Sequence, residues 1–163
     1  MATKFTYPLV PKSTASLRPG QYWAVPLSDG RFACGRVVQI GCPAIPSPTR
    51  AFFGGLHDWI GSVPPSADAI AGRPIVEWGV MHLRAITQLG GAILGERDLG
   101  LDAIAPPARL SSMGGSGTLL LNGAEPVRVA TRDEWGTIPA LGFWGYDFIQ
   151  QLAEARMVQR RSR

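Results

Sequence analysis

The sequence predicts an α+β fold in which a strongly curved or barrel-like antiparallel sheet packs against a C-terminal helix. The chain contains 20 glycines and 14 prolines, which divide it into many short elements joined by turns. Apolar runs flank an Asp-Gly pair at 29–30 and an Asn-Gly pair at 122–123, and this arrangement is typical of antiparallel hairpins. Helical spacing of apolar residues occurs over 146–157, which predicts a helix with one buried face.

A chain of 163 residues with 45% hydrophobic residues is large enough to bury one core. We expect residues 1–157 to form a single globular domain and residues 158–163 to form a basic C-terminal tail. Four C-terminal arginines account for the net charge of +4, and they are Arg156, Arg160, Arg161 and Arg163. The chain has neither an apolar run of about 20 residues nor a compact apolar leader. We therefore expect a cytoplasmic protein that does not cross a membrane.

The first half of the chain carries the clearest hairpin. Apolar runs at 22–27 and 31–40 predict its two strands. Gly35 lies inside the second run, where a missing side chain is typical of a bulge or bend in a curved sheet. Residues 41–50 contain three prolines and predict an exposed loop, which is a candidate for contacting a partner.

The other elements follow from the same kinds of pattern. The predicted strands are an edge strand at 4–10, a strand at 51–60, one or two strands within 75–89, a hairpin at 118–121 and 127–130, and a closing strand at 141–145. The predicted helical segments are a turn at 66–71 capped by Ser66 and a helix from Tyr146 to Met157.

Few residues are suited to catalysis or metal binding. His57 and His82 lack a nearby pattern of acidic or cysteine residues that would define a metal ligand set, and Cys34 and Cys42 are expected to be buried thiols. Residues 113–117 are glycine-rich but lack the lysine of a phosphate-binding loop, so we expect a flexible loop there. The sequence therefore predicts no cofactor, no metal site and no enzymatic activity.

Aromatic residues give the strongest remaining signal. Most belong in the core, but a domain of this size leaves some at the surface, where aromatic side chains are favoured interface anchors. Trp59 and Trp135 lie among polar and glycine neighbours, so they either contact a partner or cap the core. We predict a partner-binding site that includes Trp59, Trp135, His57 and Arg50. For His57 a packed, hydrogen-bonded role is the alternative.

Residues 17–38, LRPGQYWAVPLSDGRFACGRVV, place a glycine turn, an aromatic pair, a Val-Pro-Leu strand, an Asp-Gly turn and a Gly-Arg-Val strand in that order. This order resembles the opening of the immunity protein 26 family of bacterial polymorphic toxin systems. Residues 141–152 are compatible with that family's ending. The resemblance implies that the chain binds a cognate protein toxin stoichiometrically and neutralises it without catalysis.

Two other function classes stay open. A small barrel can bind nucleic acid by stacking bases on strand-borne aromatics while a basic tail meets phosphates. Apart from the four C-terminal arginines, the chain has no net charge. This argues against nucleic-acid binding, because sequence-independent binders spread positive charge along the fold. An enzyme with unrecognised chemistry is the remaining class.

Overall fold

The computed structural model describes residues 5–111 and 117–161. Within these ranges the chain is an α+β fold with antiparallel strands and a C-terminal helix, as predicted, but the strands form two sheets instead of the single barrel-like sheet that the sequence predicts. The strands are β1 (Gln21–Pro26), β2 (Phe32–Gln39), β3 (Ala51–Gly61), β4 (Ile75–His82), β5 (Ile93–Glu96), β6 (Ala108–Leu110), β7 (Leu119–Asn122) and β8 (Glu125–Val129). The α-helices are α1 (Arg84–Thr87), α2 (Arg132–Trp135) and α3 (Phe148–Arg161), and short 3₁₀ turns occur at Thr14–Ser16 and Leu99–Asp102.

The larger sheet has the strand order β4-β3-β2-β1-β5, and the smaller sheet has the order β6-β7-β8. Residues 139–144 connect them. Leu110 of β6 donates its amide to the carbonyl of Pro139 at 2.9 Å, and Val80 of β4 donates to the carbonyl of Gly142 at 2.8 Å. The predicted closing strand is therefore a pair of isolated bridges, one to each sheet. Neither sheet closes into a barrel within the described ranges.

Both predicted hairpins are present. In the first, β1 and β2 pair in a register that places Pro26 opposite Phe32. Gly30 in the connecting turn has φ of +86°, a conformation that glycine adopts without steric strain. In the second, β7 and β8 pair with Asn122 opposite Glu125. Local turn chemistry thus correctly predicted two of the strand pairings.

Gly35 marks a bulge, as its place in the sequence predicted. The register between β2 and β3 shifts between Ala33 and Gly35, and Gly35 lies opposite Trp23 of β1. The fully buried Trp23 indole packs on Gly35, where an added Cβ would overlap the ring. The absence of a side chain at Gly35 therefore makes room for the largest aromatic residue in the core.

Gly35→Ala should lower the free energy of unfolding by about 1–3 kcal/mol, because the new methyl group overpacks the core against Trp23. Urea denaturation followed by tryptophan fluorescence measures the loss. Gly136→Ala is the matched control. Gly136 has φ of −93°, and an added Cβ there would meet no atom within 4 Å, so we expect no loss of stability. Equal stability of the two variants would contradict the packing argument.

Two apolar clusters form the main core. The larger lies between the five-stranded sheet and α3, and it includes Trp23, Phe52, Met81, Ile86 and Ile149. The second joins the two sheets, and it includes Val38, Phe53, Val80, Leu121 and Leu141. The second cluster therefore holds the small sheet against the large one through residues that are far apart in the sequence.

The apolar face of α3 covers the larger sheet. Ile149, Ala153 and Met157 are at most 4% exposed and belong to the larger core cluster, as helical spacing predicted. The helix begins at Phe148, two residues later than predicted, and Tyr146 lies before it. Tyr146 is therefore not part of the buried helical face.

The helix also continues to Arg161, so residues 158–161, which we assigned to a basic tail, are helical. Two ion pairs attach this end of α3 to the large sheet. Arg156 Nη1 lies 3.5 Å from Glu77 Oε1 of β4, and Arg160 pairs with Asp58 of β3. Sheet carboxylates thus partner arginines that the sequence alone left without a counter-charge.

Several other elements differ from the predictions. The edge strand expected at 4–10 is a single bridge, in which Leu9 exchanges backbone hydrogen bonds with Ile93 at 2.9 and 2.7 Å. The segment 75–89 holds one strand followed by α1, and β5, β6 and α2 were not predicted. The predicted loop at 113–117 lies outside the described residues except for Gly117. Within the described part of the chain, no helix has the length and apolar character needed to span a membrane.

Candidate binding surface

A short aromatic segment, residues 143–148, follows the bridges between the sheets and leads into α3. Hydrogen bonding fixes its start, because the Trp144 amide donates to the carbonyl of Val80 at 2.9 Å. The Trp144 ring packs on Gly79, where an added Cβ would overlap it. It also meets the Phe148 ring edge-on, with 5.6 Å between ring centroids. Trp144 therefore anchors the segment to β4.

The other aromatic rings of this segment face outward. Phe143 is 48% exposed, Tyr146 is 42% exposed and Phe148 is 37% exposed. Single exposed apolar residues are ordinary in folded proteins, but three aromatic rings within six residues of an anchored backbone form a patch. Rigid aromatic side chains present large contact area with little loss of conformational freedom, which suits them to interfaces.

An apolar groove lies beside Phe143 and has a volume of about 250 Å³. The residues that line it are mostly apolar, and they are Pro43, Ala44, Ser111, Gly117, Leu119, Leu121, Pro126, Leu141 and Phe143. Pro43 and Ala44 belong to the proline-rich loop at 41–50. The loop that the sequence suggested for partner contact therefore forms one wall of this groove, and the lining favours an apolar side chain.

A cationic–aromatic cluster, defined as Arg50, His82, Arg84 and Tyr146, lies at the other end of the aromatic segment. The Arg84 guanidinium carbon is 5.3 Å from the centroid of the Tyr146 ring. The His82 ring centroid is 5.2 Å from the same point. Arg50 joins them because Ala51 pairs with His82 in the register between β3 and β4.

The charge of this cluster is positive. Burial, followed by the charges of Arg84 and Arg50, lowers the pKa of His82, so the imidazole is neutral at pH 7. His82 Nδ1 accepts a hydrogen bond from the Arg84 amide at 3.1 Å. Neither Arg50 nor Arg84 forms an ion pair with any residue that the structure describes. The cluster therefore carries two arginine charges that have no acidic partner in the described part of the chain.

The aromatic segment links the groove and the cluster. Phe143 lines the groove and Tyr146 belongs to the cluster, and three residues of chain span at most about 10 Å. An aromatic or apolar anchor beside arginine is the composition typical of energetically important interface positions. We take the groove, the cluster and the aromatic segment together as the candidate binding surface.

A buried ion cluster, defined as Arg36, His57, Arg97 and Asp102, lies elsewhere in the large sheet. The side chains of Arg36 and Asp102 are 0% exposed, with Arg36 Nη2 3.4 Å from Asp102 Oδ2. Arg36 Nη1 lies 3.1 Å from His57 Nε2, and Arg97 Nε lies 2.9 Å from Asp102 Oδ1. These contacts attach the 3₁₀ turn at Leu99–Asp102 to β2 and β3.

The protonation states of this cluster follow from its geometry. Burial, followed by the charge of Arg36, lowers the pKa of His57 to about 4. A guanidinium only donates hydrogen bonds, so Nε2 accepts from Arg36 and Nδ1 carries the proton, 3.2 Å from the Arg73 carbonyl. Burial alone would raise the pKa of Asp102, but hydrogen bonds from Gly72 and Arg97 and the nearby charges lower it. The cluster therefore holds a neutral imidazole and a carboxylate.

Two of the four predicted site residues lie together, away from the candidate binding surface. His57 is 2% exposed, and its ring nitrogens face Arg36 and the Arg73 carbonyl, so it is a core residue rather than a surface contact. Trp59 is half-buried and packs against the small apolar cluster around Ile70. Both line a cleft beside α3 whose volume of about 10 Å³ accommodates no more than a water molecule.

The other two predicted residues are exposed. Trp135 ends α2 and is 41% exposed, and it lines neither the groove nor the cleft. Arg50 belongs to the cationic–aromatic cluster, and its Nη1 donates to the carbonyl of Lys12 at 2.7 Å. The structure therefore brings only Arg50, of the four, to the candidate binding surface.

Sequence reasoning missed Phe143, Tyr146 and Arg84 as surface residues. Phe143 was assigned to a closing strand and Tyr146 to the buried face of the helix. The signal available in the sequence was Gly142 and Gly145, which interrupt the aromatic run and prevent a regular strand or helix there. Nothing local marked Arg84, because its aromatic partner is Tyr146, far along the chain.

Residues able to bind metals do not converge. Within the described ranges, no three His, Cys, Asp or Glu side chains lie close enough to hold a metal ion. Cys34 and Cys42 are buried free thiols, as predicted, and burial raises the pKa of both.

The sequence matches no protein-family model, no curated protein and no solved structure. Function is therefore inferred from the surface and from the resemblance of residues 17–38.

Proposed function

We propose that this chain is an immunity-type protein that binds and neutralises a cognate bacterial toxin by stoichiometric protein–protein interaction. The identity of the partner as a toxin is inferred from the resemblance of residues 17–38 to the opening of the immunity protein 26 family. The single observation that carries a binding role is the candidate binding surface. It combines exposed aromatic rings on an anchored backbone, an apolar groove and two arginines without ion-pair partners. Surfaces of this composition supply the central anchors of protein complexes.

Pre-organisation strengthens this proposal. Backbone hydrogen bonds to both sheets hold the segment that leads into residues 143–148, so little conformational freedom is lost on binding. We also infer strong curvature of the large sheet, because register shifts occur between β1 and β5, between β2 and β3 and between β3 and β4. Bulges of this kind increase local twist and bend strands. A curved, rigid sheet fixes the position of the surface it carries.

The nucleic-acid alternative has weaker support. It relied on the C-terminal arginines, but Arg156 and Arg160 pair with sheet carboxylates and hold α3 in place. Affinity for phosphates rises with the number of arginine and lysine contacts that release counterions. Arginines already engaged with carboxylates contribute less to such a contact.

Affinity capture followed by growth rescue tests the proposal. The tagged protein is used to recover partners from a nuclease-treated lysate of its own host, and a stoichiometric partner is identified by mass spectrometry. That partner is then expressed in a sensitive bacterium with and without this chain. Growth arrest by the partner alone, relieved by co-expression, supports neutralisation. Recovery only of nucleic acid from an untreated lysate would instead support the nucleic-acid alternative.

Phe143→Ala should weaken binding of the captured partner about 30- to 1,000-fold, the range for loss of an aromatic anchor. Phe143 has the largest exposed fraction among the rings of the aromatic segment and also lines the groove. Isothermal titration calorimetry measures the change. Val63→Ala removes an apolar side chain that is 65% exposed and lies outside the groove, and it should leave affinity unchanged. Unaltered affinity in Phe143→Ala would exclude the groove as the contact.

A further inference from the structure

We propose that the cationic–aromatic cluster of Arg50, His82, Arg84 and Tyr146 binds carboxylate side chains of an acidic segment on the protein partner. This inference deepens the proposed function and rests on it for the identity of that partner. It adds the chemistry that the partner must present, which is acidic residues for the cluster and an apolar side chain for the groove beside Phe143.

Backbone pairing fixes the positions of the two arginines. Leu83 donates its amide to the carbonyl of Arg50 at 2.9 Å, which places Arg50 across from the residue that precedes Arg84. Arg84 begins α1 directly after β4. Arg50 and Arg84 therefore lie at the paired ends of β3 and β4. Arg84 packs over the Tyr146 ring, and this contact limits the freedom of its side chain before any partner binds.

Arg50 and Arg84 form no ion pair with any residue that the structure describes, a property they share with Arg73, Arg109 and Arg132. Seven other arginines lie beside carboxylates, and the pairs are Arg18–Glu96, Arg31–Asp29, Arg36–Asp102, Arg97–Asp102, Arg128–Glu134, Arg156–Glu77 and Arg160–Asp58. Asp147 adjoins Tyr146 in sequence, yet it forms no ion pair with Arg84 among the described contacts. Two like charges without a carboxylate leave a local positive potential that an acidic ligand complements.

The geometry favours a protein carboxylate over a nucleic-acid backbone. A guanidinium binds a carboxylate through two parallel hydrogen bonds, and two adjacent arginines suit one or two acidic side chains. Nucleic-acid binders instead distribute positive charge along the path of many phosphates. The groove offers no further cation, because the residues that line it include no lysine or arginine. An acidic segment that also carries an apolar side chain matches both parts of the surface.

NMR titration of the ¹⁵N-labelled full chain with a defined peptide tests this. The peptide is acetylated and amidated, and it carries a leucine followed three residues later by two adjacent glutamates. We expect saturable shift changes at His82, Arg84 and Tyr146. Replacing both glutamates with glutamine should raise the dissociation constant at least about tenfold, since charge-assisted bonds are lost.

Charge-matched variants locate the contact. Arg50→Gln combined with Arg84→Gln should raise the dissociation constant at least about tenfold. Arg73→Gln combined with Arg132→Gln changes the net charge equally at exposed positions outside the cluster, and it should retain binding. Because Arg50 also bonds to the Lys12 carbonyl, Arg84→Gln alone is the second variant. It keeps that bond and should still weaken binding several-fold.

Two outcomes would overturn the proposal. In the first, neither peptide shifts resonances of the cluster at any concentration reached. In the second, a short oligothymidylate binds the same residues more tightly than the glutamate peptide and with steep salt dependence, which would assign the cluster to phosphates. The peptide titration needs no toxin. Binding of the peptide without growth rescue would therefore reject only the toxin-neutralising role.

Discussion

Asp102→Asn should lower the free energy of unfolding by about 3–5 kcal/mol, because it removes the carboxylate that compensates a fully buried arginine. Arg36 and Asp102 are both 0% exposed, so water does not replace the lost charge. Asparagine keeps the size of the side chain and can still accept the hydrogen bond from the Gly72 amide. The effect therefore reports the missing charge rather than a cavity.

Urea denaturation and thermal unfolding measure this loss, and the melting temperature should fall by roughly 6–20 °C. Asp68→Asn provides the control, because it makes the same chemical change at an exposed position and should shift stability by less than about 0.5 kcal/mol. If both variants unfolded at the same denaturant concentration, Asp102 would not stabilise Arg36. The proposed binding surface should stay intact in a folded Asp102→Asn sample, because it contains none of the buried ion cluster.

The sequence predicted those parts of the fold that local chemistry determines. The Asp-Gly and Asn-Gly turns specified two hairpins, Gly35 marked a bulge and helical spacing identified the buried face of α3. The sequence did not predict elements whose partners are distant along the chain. β5 pairs with β1, and Leu9 bridges to Ile93, but neither pairing has a turn that joins the partners directly. The C-terminal part of α3 forms ion pairs with carboxylates of β3 and β4 that only the folded chain brings near.

The candidate binding surface was less predictable for the same reason. Arg50 ends a loop that the sequence predicts to be exposed, but its neighbours Arg84 and Tyr146 come from two other parts of the chain. Tyr146 fits the helical pattern of the residues after it, and only the backbone pairing of Trp144 with Val80 shows that the helix starts later. Likewise, Arg36 lies 21 residues from His57 and 66 from Asp102. No spacing rule connects residues so far apart.

The stability of the protein should fall by about 3 kcal/mol between pH 7.5 and pH 4 through His57 alone. Its pKa in the folded protein is about 4, below the ordinary value of about 6.5 for the unfolded chain. Above pH 6.5 the imidazole is neutral in both states, and its contribution is fully present. As the pH falls toward 4 the unfolded state binds a proton that the folded state does not. The free energy of unfolding therefore decreases across this window.

His57→Gln should flatten that dependence, because glutamine can accept from Arg36 and donate to the Arg73 carbonyl without titrating. The variant is compared with the wild type by its change in unfolding free energy between pH 7.5 and pH 4, so that any constant loss at pH 7.5 cancels. His82→Gln is the control, since His82 is not part of the buried ion cluster and should leave most of the pH dependence in place. If the unfolding free energy of His57→Gln kept the pH dependence of the wild type, other groups would be responsible for the difference in proton binding between the folded and unfolded states. A slope lost only in His57→Gln would show that the acid sensitivity of the fold comes from a neutral imidazole enclosed beside a buried arginine.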